Sequence, residues 1–253
     1  EWFQLFQIGF GGVPGRPVGD GPDGHSLWPG FTNVPNEFIE SYFPLRIERY
    51  ETIADSGGAG LHRGGNGLSV AYRFLCDGDI GIHDERWLTY PWGVLGGETG
   101  MRSTKRLVHV DGSEEWLPAK AEGIKVKTGD MLYFNTWGGG GWGDPFARDP
   151  QLVLQDVKRR LVTVEGAKRY GVIIIAADGS LGADGSLDAD GSIGADGSVD
   201  MPATERLRAE LRAAAGEPTL FNFGGDLEDI RHRCEAETHL PAPVKPTFMG
   251  RTQ

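Results

Sequence analysis

Chemistry in this chain has to come from a few charged side chains set among glycines. Residues 55–67, DSGGAGLHRGGNG, hold six glycines in thirteen positions, and the side chains with reach are Asp55, His62, Arg63 and Asn66. A backbone without Cβ atoms can turn through positive φ and let a ligand or another strand approach closely. A guanidinium flanked by glycine can hold a carboxylate or phosphate by two parallel hydrogen bonds, supplemented by main-chain N–H groups. Asp55 and Arg63 are therefore candidate catalytic residues, with Gly58, Gly60 and Gly64 as substrate-binding positions. Residues 137–145, WGGGGWGDP, form a second stretch of the same kind and add Gly139, Gly140 and Asp144 as substrate-binding candidates. The bland alternative is a tight strand connection in each case, with an Asp–Arg pair pinning the loop.

Other clusters invite the same comparison. Glu37 and Glu40 stand three apart in NVPNEFIESYFP, where two carboxylates on one helical face can act as acid and base or share a cation. The competing reading places acidic residues against the dipole at a helix N-terminus, worth about 0.3 to 1 kcal/mol each. Lys120, in LPAKAEG, completes the catalytic candidates. Asp20, Asp23 and His25 have a spacing that could bind a metal, but a solvated loop is the expected state and no metal site is assigned. His83, Asp84, Glu85 and Arg86 follow one another, so in a strand they face opposite ways in turn and are expected at the surface. No GxSxG, HExxH, CxxC or GxxxxGK[ST] signature is present, and Ser56 is not framed as a nucleophile elbow.

The elements that must position these residues read as an α+β chain. Residues 45–135 are expected to form a β-rich antiparallel sheet system, a sandwich or an irregular barrel, followed by a few C-terminal helices. LSVAYRFL at 68–75 and MLYFNTW at 131–137 are its strongest strands, with turns at Asp111-Gly112 and at KTGD, residues 127–130. Asp149-Pro150 opens a helix whose Leu152, Val153, Val157 and Leu161 recur at helical spacing. A short helix over 163–169 and a buried strand over 172–175 follow. Four domains are expected: a β-rich unit with both glycine loops (1–145), a helix-helix-strand continuation (146–176), a hexapeptide insertion (177–200), and a helix with a proline-rich tail (201–253). The insertion repeats ADGS four times, as expected of a tandem expansion within a surface hairpin. Thr204 to Ala215 is expected to form a helix with its arginines outward.

Composition narrows the function classes. The 253 residues carry 36 acidic against 25 basic side chains, a net charge of −11 and a pI near 5.0, so no basic face is available for nucleic acid or anionic lipid. The longest apolar run, residues 172–177, falls far short of the roughly 20 residues that span a bilayer. Two cysteines make no disulfide framework. A cytoplasmic location is expected, without nucleic-acid or membrane partners. The chain opens on Glu1 within an apolar element, as a piece of something longer would.

Taken in order, several stretches resemble the hydantoinase B/oxoprolinase family: VPNEFIESYFP, DSGGAGLHRGGNG, YPWGVLGG at 90–97, Lys120, KTGD, TWGGGGWGDPFARDP at 136–150, Asp156-Val157 and AKRYGV at 167–172. The resemblance implies the C-terminal part of the B-type component of an N-methylhydantoinase, 5-oxoprolinase, caprolactamase or ketone carboxylase. It implies a small-molecule substrate, ATP and Mg bound by a hydantoinase A-type partner, and a B-type component whose remainder could hold a divalent metal. The family's metal-associated Thr-His-x-x-Asp pattern has no match here. Thr238-His239 is followed by Ala242 in place of the carboxylate and reads as a decoy. Such a fragment is not expected to be active alone and would serve a hydrolase, a carboxylase or, without chemistry of its own, their assembly.

Overall fold

In the computed structural model, residues 4–25, 32–175 and 197–244 are described. Helix α1, Asn36–Tyr42, leads into β1, Leu45–Thr52, and β2, Leu68–Phe74. Strands β3 (Gly78–His83), β4 (Gly93–Val94), β5 (Thr104–Val108), β6 (Glu114–Trp116), β7 (Lys120–Val126) and β8 (Met131–Asn135) follow. Five of them form an open antiparallel sheet in the order β1-β2-β8-β5-β6, and β3 pairs with β7 alone. The expected α+β architecture stands, with an open sheet rather than a closed barrel among the described residues. Strand β2 is covered along most of its length and has the β-branched and aromatic residues that suit a central strand, whereas β1 is an exposed, charged edge with a bulge near Ile47. Beneath the sheet, Phe74, Ile82, Leu107, Leu117, Val126 and Leu132 form one apolar core.

The C-terminal elements are α2 (Pro150–Lys158), β9 (Ile174–Ile175), β10 (Ser198–Val199), α3 (Met201–Ala214), β11 (Phe221–Asn222) and α4 (Leu227–Thr238). Asp149 caps α2 by accepting the Gln151 N–H, with Pro150 at the first helical position, as the sequence predicts. The expected helix over 163–169 is instead a 3-10 turn, Gly166–Tyr170, closed by Gly171 in the left-handed region. Helix α3 begins earlier than expected because Asp200 caps it through the Ala203 N–H, and Arg208 turns inward to the carbonyls of Tyr170 and Arg148. A second apolar core joins Ala59 to Val153, Val157, Ala167, Tyr170 and Ile174. Most of the hexapeptide repeat, residues 177–196, lies outside the described residues.

Between the two cores sits a feature the sequence disguises as loop. Extended segments around residues 11–15, 57–67, 93–100 and 138–143 lie side by side and exchange main-chain hydrogen bonds. Gly58 N–H donates to Gly139 O, Gly139 to Gly65 O, Gly65 to Val13 O, Gly15 to Gly140 O, and Gly141 to Glu98 O, each at 2.8 Å. A methyl group on Gly140 would overlap the carbonyl oxygen of Trp92, and one on Gly64 that of Gly139. Backbone therefore packs directly on backbone, and the missing Cβ atoms are what allow it.

Candidate functional site

The two glycine stretches meet, as a shared site requires, but they fill the space between them with their own main chains. Gly58, Gly60, Gly64, Gly139 and Gly140 are all buried in this bundle. Arg63 leaves it sideways, with a side chain 7% exposed. Its guanidinium takes both carboxylate oxygens of Asp23 at 2.8 and 3.1 Å, and its Nε lies 3.6 Å from Asp156. Arg148 repeats the arrangement, gripping both oxygens of Asp20 at 2.7 and 2.8 Å and Asp156 at 2.8 Å. Asp20 also accepts the Arg63 N–H, and Asp23 that of Asn66. The expected solvated loop is thus corrected: Asp20 and Asp23 clamp residues 20–25 onto the bundle through charge-assisted bonds.

The charges in this network settle differently on two carboxylates that share Arg148. Burial pushes Asp20 up, but the hydrogen bonds and charge of Arg148, together with the Arg63 N–H, outweigh it and leave the group below its usual value. Burial dominates at Asp156, which is held above the usual range despite Arg148 and Arg63. The difference follows exposure, since the Asp20 side chain is 35% exposed and that of Asp156 only 7%. Burial alone would lower both arginines, yet the facing carboxylates raise them.

Asp55 has a different setting. It lines an open cleft of about 460 Å³ with Thr163, Glu165, Gly166, Lys168 and Arg169. Its φ of 63° puts a non-glycine residue in the left-handed region. One carboxylate oxygen accepts the Thr163 N–H at 3.0 Å and the other the Thr163 hydroxyl at 2.5 Å. Arg169 donates to the carbonyls of Asp55 and Gly57 and pairs with Glu98 at 2.7 Å. Lys168 pairs with Glu165 at 2.6 Å, so the cleft carries carboxylates and cations together.

The remaining candidates lie elsewhere. Glu37 and Glu40 are exposed on α1, where Glu40 accepts the Ile47 N–H at 2.8 Å. Lys120 begins β7 and faces the exposed Glu85 at 3.4 Å. Asp144 caps the turn Pro145–Ala147 through the Phe146 N–H and lies 3.6 Å from Arg212. Ser56 is buried, its hydroxyl donating to Ile53 O and accepting from Gly67 N–H. Asp84, expected at the surface, is buried against Lys105 and the Ser103 hydroxyl, because the alternation of β3 continues one residue past its end, where the Asp84 N–H donates to Ala119 O. His239 takes a left-handed conformation at the end of α4. Among the described residues no three His, Cys, Asp or Glu side chains converge as metal ligands, and no helix is long and apolar enough to cross a membrane.

Arg148, Asp156 and Arg169 fall inside the longer stretches that carry the resemblance, but their sequence context attaches no role to them, and none at all to Thr163 and Glu98. The signal available for Arg148 and Asp156 is their placement beside the second glycine stretch and its helix. For Thr163 no local signal exists, since its partner lies 108 residues earlier.

The family model described as Hydantoinase B/oxoprolinase matches residues 1–145. The B component of a putative D-/L-hydantoinase from a Pseudomonas species is 31% identical over 68% of this chain and 29% of its own length. The beta chain of the caprolactamase of Pseudomonas jessenii is 35% identical over 54% of this chain and 25% of its length. The crystal structure of an ATP-dependent caprolactamase from that organism superposes with a TM-score of 0.59 at 27% identity, over 79% of this chain and 32% of that one. A nucleotide-free acetone carboxylase shares the fold, with a TM-score of 0.62 at 21% identity over 83% of this chain and 30% of that one. The chain thus spans about a third or less of the proteins it matches.

Proposed function

Because this chain belongs to the hydantoinase B/oxoprolinase family, we propose that it is a component of an ATP-dependent cyclic-amide hydrolase. It would open a hydantoin, 5-oxoproline or lactam ring together with an ATP-binding A-type partner and the remainder of a B-type polypeptide, in the cytoplasm. The observation that carries this reading is the 35% identity to a caprolactamase component.

In this reading the partner would use ATP and Mg to activate the amide carbonyl by phosphorylation, and the remainder of the B-type polypeptide would hold any divalent metal. The chain's own contribution is the Asp55 cleft. An ionised carboxylate there accepts a proton from water as the water oxygen attacks the activated carbon. The C–N bond then breaks as the proton passes to the departing ring nitrogen, and the acyl phosphate left behind is hydrolysed by a second water to the carboxylate and inorganic phosphate. Lys168 and Arg169, on the same cleft, balance the negative charge of the phosphoryl group carried on the reacting carbon.

Reconstituting the chain with an A-type partner and assaying ATP-dependent lactam opening tests the reading directly. Ring opening that vanishes when the chain is omitted supports it. Bicarbonate-dependent consumption of a ketone would identify a ketone carboxylase, the alternative that the acetone carboxylase fold favours. Loss of complex integrity with no effect of substitutions at Asp55 would leave the chain an assembly module.

A further inference from the structure

We propose that Thr163 is a positioning residue for Asp55, an inference that rests on the reading of Asp55 as the group facing substrate. The hydroxyl of Thr163 accepts a hydrogen bond from the Gly166 N–H at 2.8 Å. With that direction taken, its single proton points to the Asp55 carboxylate, 2.5 Å away. The Thr163 N–H fixes the other carboxylate oxygen at 3.0 Å. One residue thereby holds both oxygens, and the relay from Gly166 through Thr163 to Asp55 polarises in one sense.

Three further observations point the same way. A methyl group on Gly166 would overlap the Asp55 carboxylate, so glycine leaves the space the carboxylate occupies. Arg169 grips the Asp55 carbonyl at 2.9 Å, and the Asp55 N–H donates to Leu161 O at 3.1 Å. The left-handed backbone of Asp55, held on both sides, is the kind of local strain that persists only where surroundings over-determine it.

The test compares Asp55→Asn, Thr163→Val and Thr163→Ser in the complex assembled with the A-type partner. Thr163→Val is expected to lower kcat about tenfold with KM changed less than twofold, while Thr163→Ser, which keeps the hydroxyl, restores most of the rate. Full activity in Thr163→Val beside an inactive Asp55→Asn overturns the positioning role and leaves the reading of Asp55 intact. Full activity in Asp55→Asn overturns that reading itself. A measurement independent of turnover is the 13C shift of the Asp55 carboxyl carbon in the isolated chain. It should move in Thr163→Val and stay in Thr163→Ser, and an unmoved resonance in Thr163→Val contradicts the proposal.

Discussion

Arg63 reaches two carboxylates, Asp23 and Asp156, from inside the protein, so removing it takes from Asp23 its guanidinium partner and leaves Asp156 to Arg148 alone. Breaking a buried ion pair by deleting one partner typically costs 3–5 kcal/mol, about what Arg63→Ala should lose in denaturant unfolding. Arg63→Ala combined with Asp23→Asn should recover part of that loss, because the double change removes one orphaned charge; a purely additive double variant would contradict the pairing. Asp20 supplies a pH test. Its folded-state pKa is below the unfolded value of about 3.9. Its contribution to stability is therefore complete above that value and is lost as pH falls through the lowered folded-state value. Asp156, raised in the folded state, runs the other way and offsets part of the loss on acidification. The melting temperature should fall below about pH 4, and Asp20→Asn should show a lower plateau at neutral pH with a shallower acid limb. Parallel acid limbs would rule Asp20 out as a contributor.

Among the elements, the glycine bundle makes the sharpest demand. Gly140→Ala forces a methyl into the Trp92 carbonyl, where no side chain can swing aside, and should lose about 3 kcal/mol or fail to fold. Gly216→Ala meets nothing within 4 Å and should be neutral or slightly stabilising in the same melting experiment. Equal effects would mean that the segments do not pack on one another. The strongest strands, β2 and β8, the α2 start and the turns at Asp111-Gly112 and 127–130 were legible, because β-branched runs, an Asp-Pro cap and turn dipeptides act locally. The bundle was not, since glycine suits a ligand-lining loop and a close-packed backbone equally well. Asp84 was misjudged for a related reason: alternation says that neighbours face opposite ways, but only the Lys105 of another strand says which face is inside.

For the whole molecule, family membership was legible because the glycine stretches keep their order along the chain. The electrostatic clamp was not, because Asp23 and Asp20 find their arginines 40 and 128 residues away, beyond any spacing rule. What emerges is two apolar cores and a bundle of interlocked backbone, with a mixed-charge cleft at Asp55 as the proposed site of chemistry. The substitution Asp55→Asn keeps the size of the side chain and removes its charge, so it separates chemistry from architecture. In the complex assembled with the ATP-binding partner, kcat for ATP-dependent ring opening should fall ~10² or more, while stability falls by only about the 1 kcal/mol of one exchanged hydrogen bond to Thr163. An unaltered kcat would contradict the assignment of this cleft.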